Sequence, residues 1–199
     1  DFTSSGGTSV NHIAKWDGSN WVPLGAGING RVNALAVMGS DLYVGGEFTT
    51  AGGISASRIA KWDGTSWSSL GSGITSPAGW GHRVFALAVH GTDLYAGGYF
   101  QYAGGILVRC IAKWDATNSS WSALGYGTSE NIHALEIIGN DVYAGGYFLN
   151  IGSVNASRIA KWNGSNWSPL GSGTQGGGVN SLKAIGSDLY VGGSFLSAG

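Results

Sequence analysis

Charged side chains are scarce in this sequence: Asp, Glu, Lys and Arg make up 11% of its 199 residues, against roughly 25% in an average globular protein. The net charge is −1, and no cluster of Lys or Arg occurs anywhere. Because nucleic-acid binding depends on clustered cations that displace phosphate counterions, we expect no nucleic-acid partner. No apolar run approaches the roughly 20 residues of a spanning helix, so we expect no membrane insertion.

Reactive and metal-binding residues are equally few. The single cysteine, Cys110, excludes an internal disulfide and a thiolate metal centre. The four histidines have no zinc-site spacing, and nothing in the sequence places a Ser beside a His and a carboxylate. We therefore expect no metal, no cofactor and no catalytic residues. The histidines are His12, His82, His90 and His133.

Glycine and aromatic residues are abundant. The chain has 37 Gly, and Phe, Trp and Tyr make up 12% of it. The glycines have no three-residue period, which excludes collagen, and the many Trp, Tyr, Leu and Ile residues argue against disorder. An all-β protein with Gly-rich turns remains. No signal peptide is visible and the first residue is Asp1, so we expect a processed form or an excerpt of a longer protein.

One pattern, Ile-Ala-Lys-Trp-Asp-Gly with small changes, occurs four times. The spacings between its copies are 46, 52 and 48 residues, and a second Trp and a Leu-Gly pair follow each copy. Repetition at such a period is the sequence signature of a repeat architecture. The copies begin at Ile13, Ile59, Ile111 and Ile159, and the second tryptophans are Trp21, Trp67, Trp121 and Trp167.

A second pattern keeps step with the first. A Val-x-Ala-Leu stretch leads into Asp-Leu-Tyr-x-Gly-Gly, and a Phe follows two places after each Gly pair. We call the Val-x-Ala-Leu stretch strand A, the Leu-Tyr stretch strand B, the Ile-Ala-Lys-Trp stretch strand C, and the region of the second Trp strand D. Strands of this length without helical periodicity predict antiparallel sheets, and four-stranded units repeating near every 50 residues predict the blades of a β-propeller.

The recurring residues have structural interpretations. The paired tryptophans suit the space between neighbouring blades, and the Gly pairs allow close backbone approach or a bulge at the end of strand B. A Lys on strand C and an Asp before strand B also recur in every unit. Because a residue needed once for chemistry would not recur four times, we favour a structural role for both. They are Lys15, Lys61, Lys113 and Lys161, with Asp41, Asp93, Asp141 and Asp188.

The Leu-Tyr-x-Gly-Gly stretch, the aromatic-Asp pair on strand C and the following Trp together resemble the kelch repeat, over the whole chain. The chain also looks like tandem propeller repeats of bacterial secreted proteins and of some fungal cell-surface proteins. The resemblance implies a β-propeller and an extracellular or cell-surface location. It implies no single function, because one fold hosts many. Kelch rings usually have six or seven blades, whereas this chain supplies four.

The chain opens and closes inside a blade, within what we expect to be one domain over residues 1–199. Strands C and D in 11–24 can complete the blade whose strands A and B lie in 179–193, and residues 195–199 align with 2–6. Three arrangements are open: a closed four-bladed ring of one chain, an eight-bladed homodimer with two-fold symmetry, or part of a longer array. Some closure is expected, because unpaired edges invite aggregation.

Function is best sought where the repeats differ, in the B–C and D–A links, which we expect on one face of the disc. The longest D–A link runs from 71 to 83. Aromatic side chains beside amides and carboxylates suit a sugar or peptide ligand, while ordinary loop packing is the structural alternative. The candidate ligand-binding residues are Trp80, His82, Arg83, Glu47, Tyr99, Tyr102, Tyr126, Glu130 and Tyr147.

Three further positions have specific interpretations. The strand A residues Asn33, Phe85, His133 and Asn180 are candidates for lining an axial channel, although a lone His is more often structural. Cys110 aligns with His12, Arg58 and Arg158 just before strand C, and we interpret it as a passive substitution. Among the Asn-x-Ser sequons, Asn118 and Asn155 are the best placed for glycosylation if the protein is secreted.

These observations favour a non-enzymatic extracellular module that recognises a glycan or a protein through its variable links. A second hypothesis is a structural module that assembles within a larger secreted or cell-surface protein. An enzyme with an axial site is a third, less favoured hypothesis.

Overall fold

The computed structural model describes residues 2–5, 7–78 and 81–199, and these residues form strands and turns without any helix. The all-β prediction is confirmed. No helix in the described part is therefore long and apolar enough to cross a membrane.

The strands are short and regularly spaced. The N-terminal segment contains β1 (Ser4–Ser5), β2 (Thr8–Ser9), β3 (Ala14–Trp16) and β4 (Trp21–Pro23). The next segment contains β5 (Val32–Met38), β6 (Asp41–Gly46), β7 (Thr50–Ala51), β8 (Ile54–Ser55), β9 (Ile59–Trp62) and β10 (Trp67–Ser69). It is followed by β11 (Ile74–Thr75), β12 (Arg83–His90), β13 (Asp93–Tyr99), β14 (Tyr102–Ala103), β15 (Ile106–Leu107), β16 (Ile111–Asp115) and β17 (Ser120–Ala123). Then come β18 (Ile132–Ile138), β19 (Asp141–Gly146), β20 (Asn150–Ile151), β21 (Val154–Asn155), β22 (Ile159–Trp162) and β23 (Trp167–Pro169). The last are β24 (Thr174–Gln175), β25 (Val179–Ile185), β26 (Asp188–Gly193) and β27 (Ser197–Ala198).

Three antiparallel sheets each contain the four strands A to D in that order. We call them sheet 1 (β5, β6, β9, β10), sheet 2 (β12, β13, β16, β17) and sheet 3 (β18, β19, β22, β23). Two further pairs are half-sheets: the N-terminal hairpin β3–β4 has only strands C and D, and the C-terminal hairpin β25–β26 has only strands A and B. The predicted strand assignment within a repeat is confirmed.

A bulge interrupts the pairing of strands A and B at the same place in every repeat. Asn33 has no partner on strand B, although the residues on both sides of it are paired. Opposite the bulge, a Cβ on Gly46 would collide with the carbonyl oxygen of Arg31, so only glycine fits there. The other unpaired bulge residues are Phe85, His133 and Asn180.

The hydrophobic core is divided among the spaces between consecutive sheets. Four clusters of buried side chains join the N-terminal hairpin to sheet 1, sheet 1 to sheet 2, sheet 2 to sheet 3, and sheet 3 to the C-terminal hairpin. We call each contact between consecutive sheets a joint. At each joint, a side chain of the next strand A packs against the first Gly of the preceding Gly pair. A Cβ on Gly45 would lie 2.5 Å from Cγ1 of Val84, and one on Gly97 would lie 2.7 Å from Cγ2 of Ile132. Neighbouring sheets therefore interlock only because these glycines have no side chain.

The second Trp of each complete sheet bonds to the sheet before it. Its indole nitrogen donates to the carbonyl of the preceding Leu-Gly pair: Trp67 to Leu24 at 2.7 Å, Trp121 to Leu70 at 3.0 Å, and Trp167 to Leu124 at 2.9 Å. The first Trp of the same unit packs against it, with ring centroids about 5.3 Å apart in sheet 1. The tryptophans thus fill the space between sheets, as predicted.

The repeated Lys and Asp residues form ion pairs between strands C and B. The pairs are Lys61–Asp41 at 2.8 Å, Lys113–Asp93 at 3.0 Å and Lys161–Asp141 at 2.9 Å. The hydrogen bond to Asp raises the pKa of each of these lysines. Their role in the described sheets is structural, and the two half-sheets divide the fourth pair between them: Lys15 lies in the N-terminal hairpin and Asp188 in the C-terminal hairpin.

The N-terminal hairpin and the C-terminal hairpin do not pair with each other. The only strand paired with β3 is β4, and the only strand paired with β26 is β25, among the described residues. Strand β25 packs against β18 of sheet 3, in the same way as β12 packs against β5 of sheet 1. Closure of 11–24 onto 179–193 within one chain is therefore not present. The same contacts recur at each joint, so each sheet is placed on the preceding one in a similar way. After four units, the two terminal hairpins are not in contact as strand partners.

A capping side chain closes each C–D turn. Oδ1 of Asp63 accepts hydrogen bonds from the backbone N–H groups of Thr65 and Ser66, both at 2.8 Å. These bonds, led by that of Ser66, hold the pKa of Asp63 well below its ordinary value. The same turn is closed by Asp17, Asp115 and Asn163, which shows that a neutral amide oxygen can also make it.

We expect Trp67→Phe to lower the free energy of unfolding by about 1 kcal/mol more than Trp62→Phe does, because only Trp67 donates a hydrogen bond, and about 1 kcal/mol is its usual net contribution. Trp62 is the matched control, since it belongs to the same pair. Urea unfolding followed by circular dichroism measures both losses. Equal losses would contradict the role assigned to the indole hydrogen bond.

We expect the stability difference between the wild type and Asp63→Asn to depend on pH. Because the pKa of Asp63 is lowered on folding, its charge stabilises the folded chain above the ordinary pKa of 3.8, and this contribution is lost as the pH falls toward the folded pKa. The urea midpoint of the wild type should exceed that of Asp63→Asn at neutral pH, and the gap should shrink in acid. A gap of constant size would argue against the charged cap.

Candidate functional site

The B–C and D–A links lie together along one edge of the sheets. β11, in the link after sheet 1, pairs with β14 in the B–C link of sheet 2, and β24 pairs with β27 in the same way. Each B–C link of a complete sheet also folds into a hairpin of its own: β7–β8, β14–β15 and β20–β21. We call this edge the link face. The two sets of links therefore share a face, as expected from the strand directions.

The residue just before strand C has the same unusual backbone in each repeat. Its φ is positive in Arg58 (63°), Cys110 (69°) and Arg158 (75°), a conformation that side chains other than glycine seldom adopt. In sheet 1 the Arg58 guanidinium reaches under the links, where Nη1 donates to the carbonyl of Phe48 at 3.0 Å and Nε to that of His82 at 3.2 Å. Arg158 similarly donates to the carbonyl of Thr174 at 2.9 Å. An arginine thus bonds to link carbonyls in sheets 1 and 3.

Sheet 2 has Cys110 at this place, and a cavity lies beside it. The cavity has a volume of about 360 Å³. A space of about 370 Å³ likewise lies beside His12, where this position again lacks an arginine. The walls of the cavity beside Cys110 include Tyr99, Gln101, Tyr102, Arg109, Thr128 and Ser129.

The Cys110 thiol is a neutral wall of this cavity. Cys110 is 3% exposed, and burial raises the pKa of its thiol to about 11. A thiol with this pKa is protonated at neutral pH and is a poor nucleophile.

A second cavity adjoins the first. It has a volume of about 310 Å³, and Ser129 lines both. Its other lining residues include Glu130, Tyr147, Asn150 and Arg158. We call the two together the double cavity. It extends along the link face from sheet 2 to sheet 3.

The bulge residues support the wall of the second cavity. The rings of His133 and Tyr147 pack in a T-shaped arrangement with centroids 5.2 Å apart, and His133 stacks on Phe85 at 4.6 Å with the rings 9° from parallel. Burial lowers the pKa of His133, so the ring is neutral at pH 7. Asn33 instead donates to the carbonyl of Val84 at 3.0 Å. His133 therefore acts here as an aromatic packing group, which is the structural interpretation.

The predicted site residues fall into separate groups. Tyr99 and Tyr102 line the first cavity, and Glu130 and Tyr147 line the second. The other candidates lie elsewhere. Glu47 and Arg83 form an ion pair at 3.2 Å, His82 gives its backbone carbonyl to Arg58, and Tyr126, 77% exposed, borders a separate depression of about 240 Å³. Trp80 lies outside the described residues.

The two sequon asparagines are both exposed, on different parts of the chain. Asn118 lies in a C–D turn, where its side-chain nitrogen donates to Asp115 at 2.6 Å. Asn155 lies in β21 on the link face, and its amide oxygen accepts from the hydroxyl of Ser157 at 3.4 Å. Glycosylation of either stays a prediction.

Sequence reasoning identified four tyrosine and glutamate residues of the double cavity but missed others. Arg109 and Arg158 were not candidates, and Cys110 was interpreted as passive. The available signal was the alignment of Cys110 with two arginines, because the loss of a long side chain from a repeated position leaves space. Among residues 2–5, 7–78 and 81–199, no three His, Cys, Asp or Glu side chains are grouped as metal ligands.

Comparison with known proteins supports the fold alone. No protein-family model and no curated protein matches the chain. Among solved structures, the computationally designed Ika4 protein is similar with a TM-score of 0.56 and 16% identity, over 86% of this chain and 92% of that one. The computationally designed Ika8 protein gives a TM-score of 0.55 and 18% identity, over 85% of this chain but 45% of that one. YjhT gives a TM-score of 0.47 and 17% identity, over 80% of this chain and 58% of that one.

We expect Cys110 to react slowly with a soluble disulfide reagent. A pKa near 11 instead of the ordinary 9.0 leaves about 100-fold less thiolate at a given pH. The double variant Cys110→Ser/Ser40→Cys is the control, because Ser40 lies in an exposed A–B turn. The reaction of the native chain should be at least that much slower and should accelerate up to about pH 11. Similar rates for the two proteins would show that Cys110 is accessible and ordinarily acidic.

Proposed function

We propose that this chain is a non-enzymatic binding module that holds a carbohydrate in the double cavity of its link face. The observation that carries the proposal is the change from arginine to Cys110 in sheet 2. In sheet 2 it leaves a cavity at the position where the Arg58 guanidinium of sheet 1 bonds to two link carbonyls. Cavities also lie at this position beside His12 and Arg158. What distinguishes sheets 2 and 3 is that two such cavities adjoin at Ser129.

The size of the first cavity favours a small ligand. Its volume of about 360 Å³ falls within the roughly 300–1,000 Å³ of small-molecule sites. A protein partner would instead cover a patch of about 800 Å² on each side. A protein surface therefore fits this site less well than a sugar does.

The lining chemistry suits sugar rings. Tyr99 and Tyr102 supply flat apolar area together with hydroxyl groups, which matches a ring with apolar faces and polar edges. Gln101 and Arg109 add hydrogen-bond donors on the same wall. Because Ser129 joins the two cavities, the site has room for a chain of sugar units. The neutral Cys110 thiol supplies an uncharged wall, in keeping with a binding role.

The repeat architecture is the second part of the proposal. We propose that the sheets are blades of a kelch-like β-propeller and that the protein acts outside the cell or at its surface. Four-stranded antiparallel units that interlock in sequence along the chain support the propeller. The extracellular location rests on the resemblance to repeats of secreted proteins.

Filling the cavity is the test. We expect Cys110→Arg to reduce carbohydrate affinity about tenfold or more, because the arginine would occupy the ligand's space. Arg58 and Arg158 already have this backbone conformation, so the variant should fold normally. Cys110→Ser is the matched control and should bind as the wild type does. A glycan array would select the sugar, and isothermal titration would measure all three affinities.

Two results would contradict the proposal. If the wild type binds no sugar on the array but selects peptides from a library, the ligand class is wrong. If Cys110→Arg folds and binds the selected sugar as tightly as the wild type does, the double cavity is not the site.

A further inference from the structure

We infer that the N-terminal hairpin of a second copy completes the C-terminal hairpin of the first, and the reverse, so that two chains close a ring of eight sheets. The two ends of one chain carry the two halves of a single four-stranded sheet. Four independent features of these ends match the joints already present inside the chain. This inference does not depend on the proposed carbohydrate site.

The first feature is the pair of open strand edges. In sheet 1, strand B pairs with strand C through Leu42 with Trp62 and Val44 with Ala60. The equivalent pairs across the two hairpins would be Leu189 with Trp16 and Val191 with Ala14. Strand β26 has an unpaired edge, and β3 of the second copy would pair with it. The addition of a strand to an open sheet edge is a common mode of association. An unpaired edge that stayed open would expose backbone groups to aggregation.

The second feature is apolar surface that is exposed at both ends, whereas the equivalent surface between them is buried or partly buried. Tyr190 of the C-terminal hairpin is 55% exposed, whereas its equivalent Tyr43 is 2% exposed. On sheet 1, Leu35 is 55% exposed, whereas its equivalent Leu135 is 8% exposed. In the internal joints these two kinds of side chain lie between consecutive sheets. The ends therefore carry the two faces of one unmade joint.

The third feature is an unfilled space beside a glycine. In the internal joints, Val84 and Ile132 enter the space left by the first Gly of the preceding pair. At the C-terminal hairpin this glycine is Gly192, and only the Cβ of Ser181, at 3.9 Å, lies within 4 Å of a Cβ built on it. The side chain equivalent to Val84 is Val32, which is only partly buried. Val32 of the second copy fits the space at Gly192.

The fourth feature is polar complementarity. Trp21 is 47% exposed, and its indole makes no hydrogen bond among the described residues, whereas each equivalent Trp donates to a Leu carbonyl of the preceding sheet. The carbonyl in the matching place is that of Leu170, after sheet 3. Lys15 and Asp188 likewise have opposite charges and the positions of the ion pair in sheets 1 to 3. The joint between two copies would give the Trp21 indole its acceptor and would bring Lys15 to Asp188.

The number of units favours two copies. Chains with four units each can close rings of four, eight or twelve, and propellers typically have about four to eight blades. The terminal hairpins of one chain do not pair with each other, which leaves eight, and identical chains close most often with two-fold symmetry. The structural match to this chain covers 92% of the designed Ika4 chain but 45% of the designed Ika8 chain. The same kind of fold can therefore extend over a chain about twice as long.

The joint also makes two segments equivalent. Residues 195–199 align with residues 2–6 in the sequence repeat. The end of one chain and the start of the next would therefore occupy the same place on the link face. Each is held by one short pairing, β27 with β24 and β1 with β2. The joint therefore seats one of the two segments and displaces the other.

Light scattering of the full chain tests the inference. We expect a mass of twice the 20.3 kDa of one chain, and 20.3 kDa for Gly192→Val, whose new side chain would occupy the place of Val32. Gly81→Val is the matched control: no described atom lies within 4 Å of its Cβ either, and it should remain a dimer. A monomeric wild type, or a Gly192→Val variant that dimerises as the wild type does, would overturn the inference.

A cross-link identifies which chain supplies the partner. In sheet 1 a Cβ on Gly45 would lie 3.1 Å from that of Val84, near the roughly 3.5–4.5 Å of a disulfide. We therefore expect Val32→Cys/Gly192→Cys, with Cys110→Ser to remove the native thiol, to form a covalent dimer on mild oxidation. A disulfide within one chain would overturn the inference in favour of a four-sheet ring, and a ladder of longer products would overturn it in favour of an open array.

Discussion

Every sheet of this protein is stabilised by the sheet beside it. A branched side chain of strand A enters the space that a glycine leaves open on the preceding strand B, as Val84 does at Gly45. The indole hydrogen bond of the second Trp joins the same two sheets at their outer strands. Because the buried clusters lie between sheets, a single sheet has no core of its own. Stability therefore depends on each unit having a neighbour, and the two exposed ends follow directly from that requirement.

The same repeated frame explains where a binding site can arise. Side chains that interlock at every joint cannot change without a loss of packing, whereas residues under the links can. The position before strand C shows this freedom: it carries Arg58 and Arg158 in two sheets and Cys110 in another. The side chain at this position changes while the left-handed backbone stays the same. Tyrosines from the links then supply the walls of that cavity.

Much of the fold could be predicted from the sequence because the same residue pattern occurs four times along the chain. The Leu-Tyr-x-Gly-Gly stretch places strand B, and its glycines indicate the bulge. The link hairpins such as β14–β15 were missed, since strands of two residues leave no period to detect. The cavity beside Cys110 was missed because Cys110 was interpreted as a passive substitution. The pairing of Glu47 with Arg83 depends on how two links approach, and spacing along the chain does not encode that approach.

The central claim is that glycine positions between sheets hold the structure together, and Gly97→Ala tests it most directly. The added methyl would lie 2.7 Å from Cγ2 of Ile132, so urea unfolding should show a loss of about 1–3 kcal/mol, as overpacking usually causes. Gly81→Ala, whose methyl would have no described atom within 4 Å, should change the free energy of unfolding by no more than about 0.5 kcal/mol. If Gly97→Ala proved as stable as Gly81→Ala, the joints would not be the source of stability.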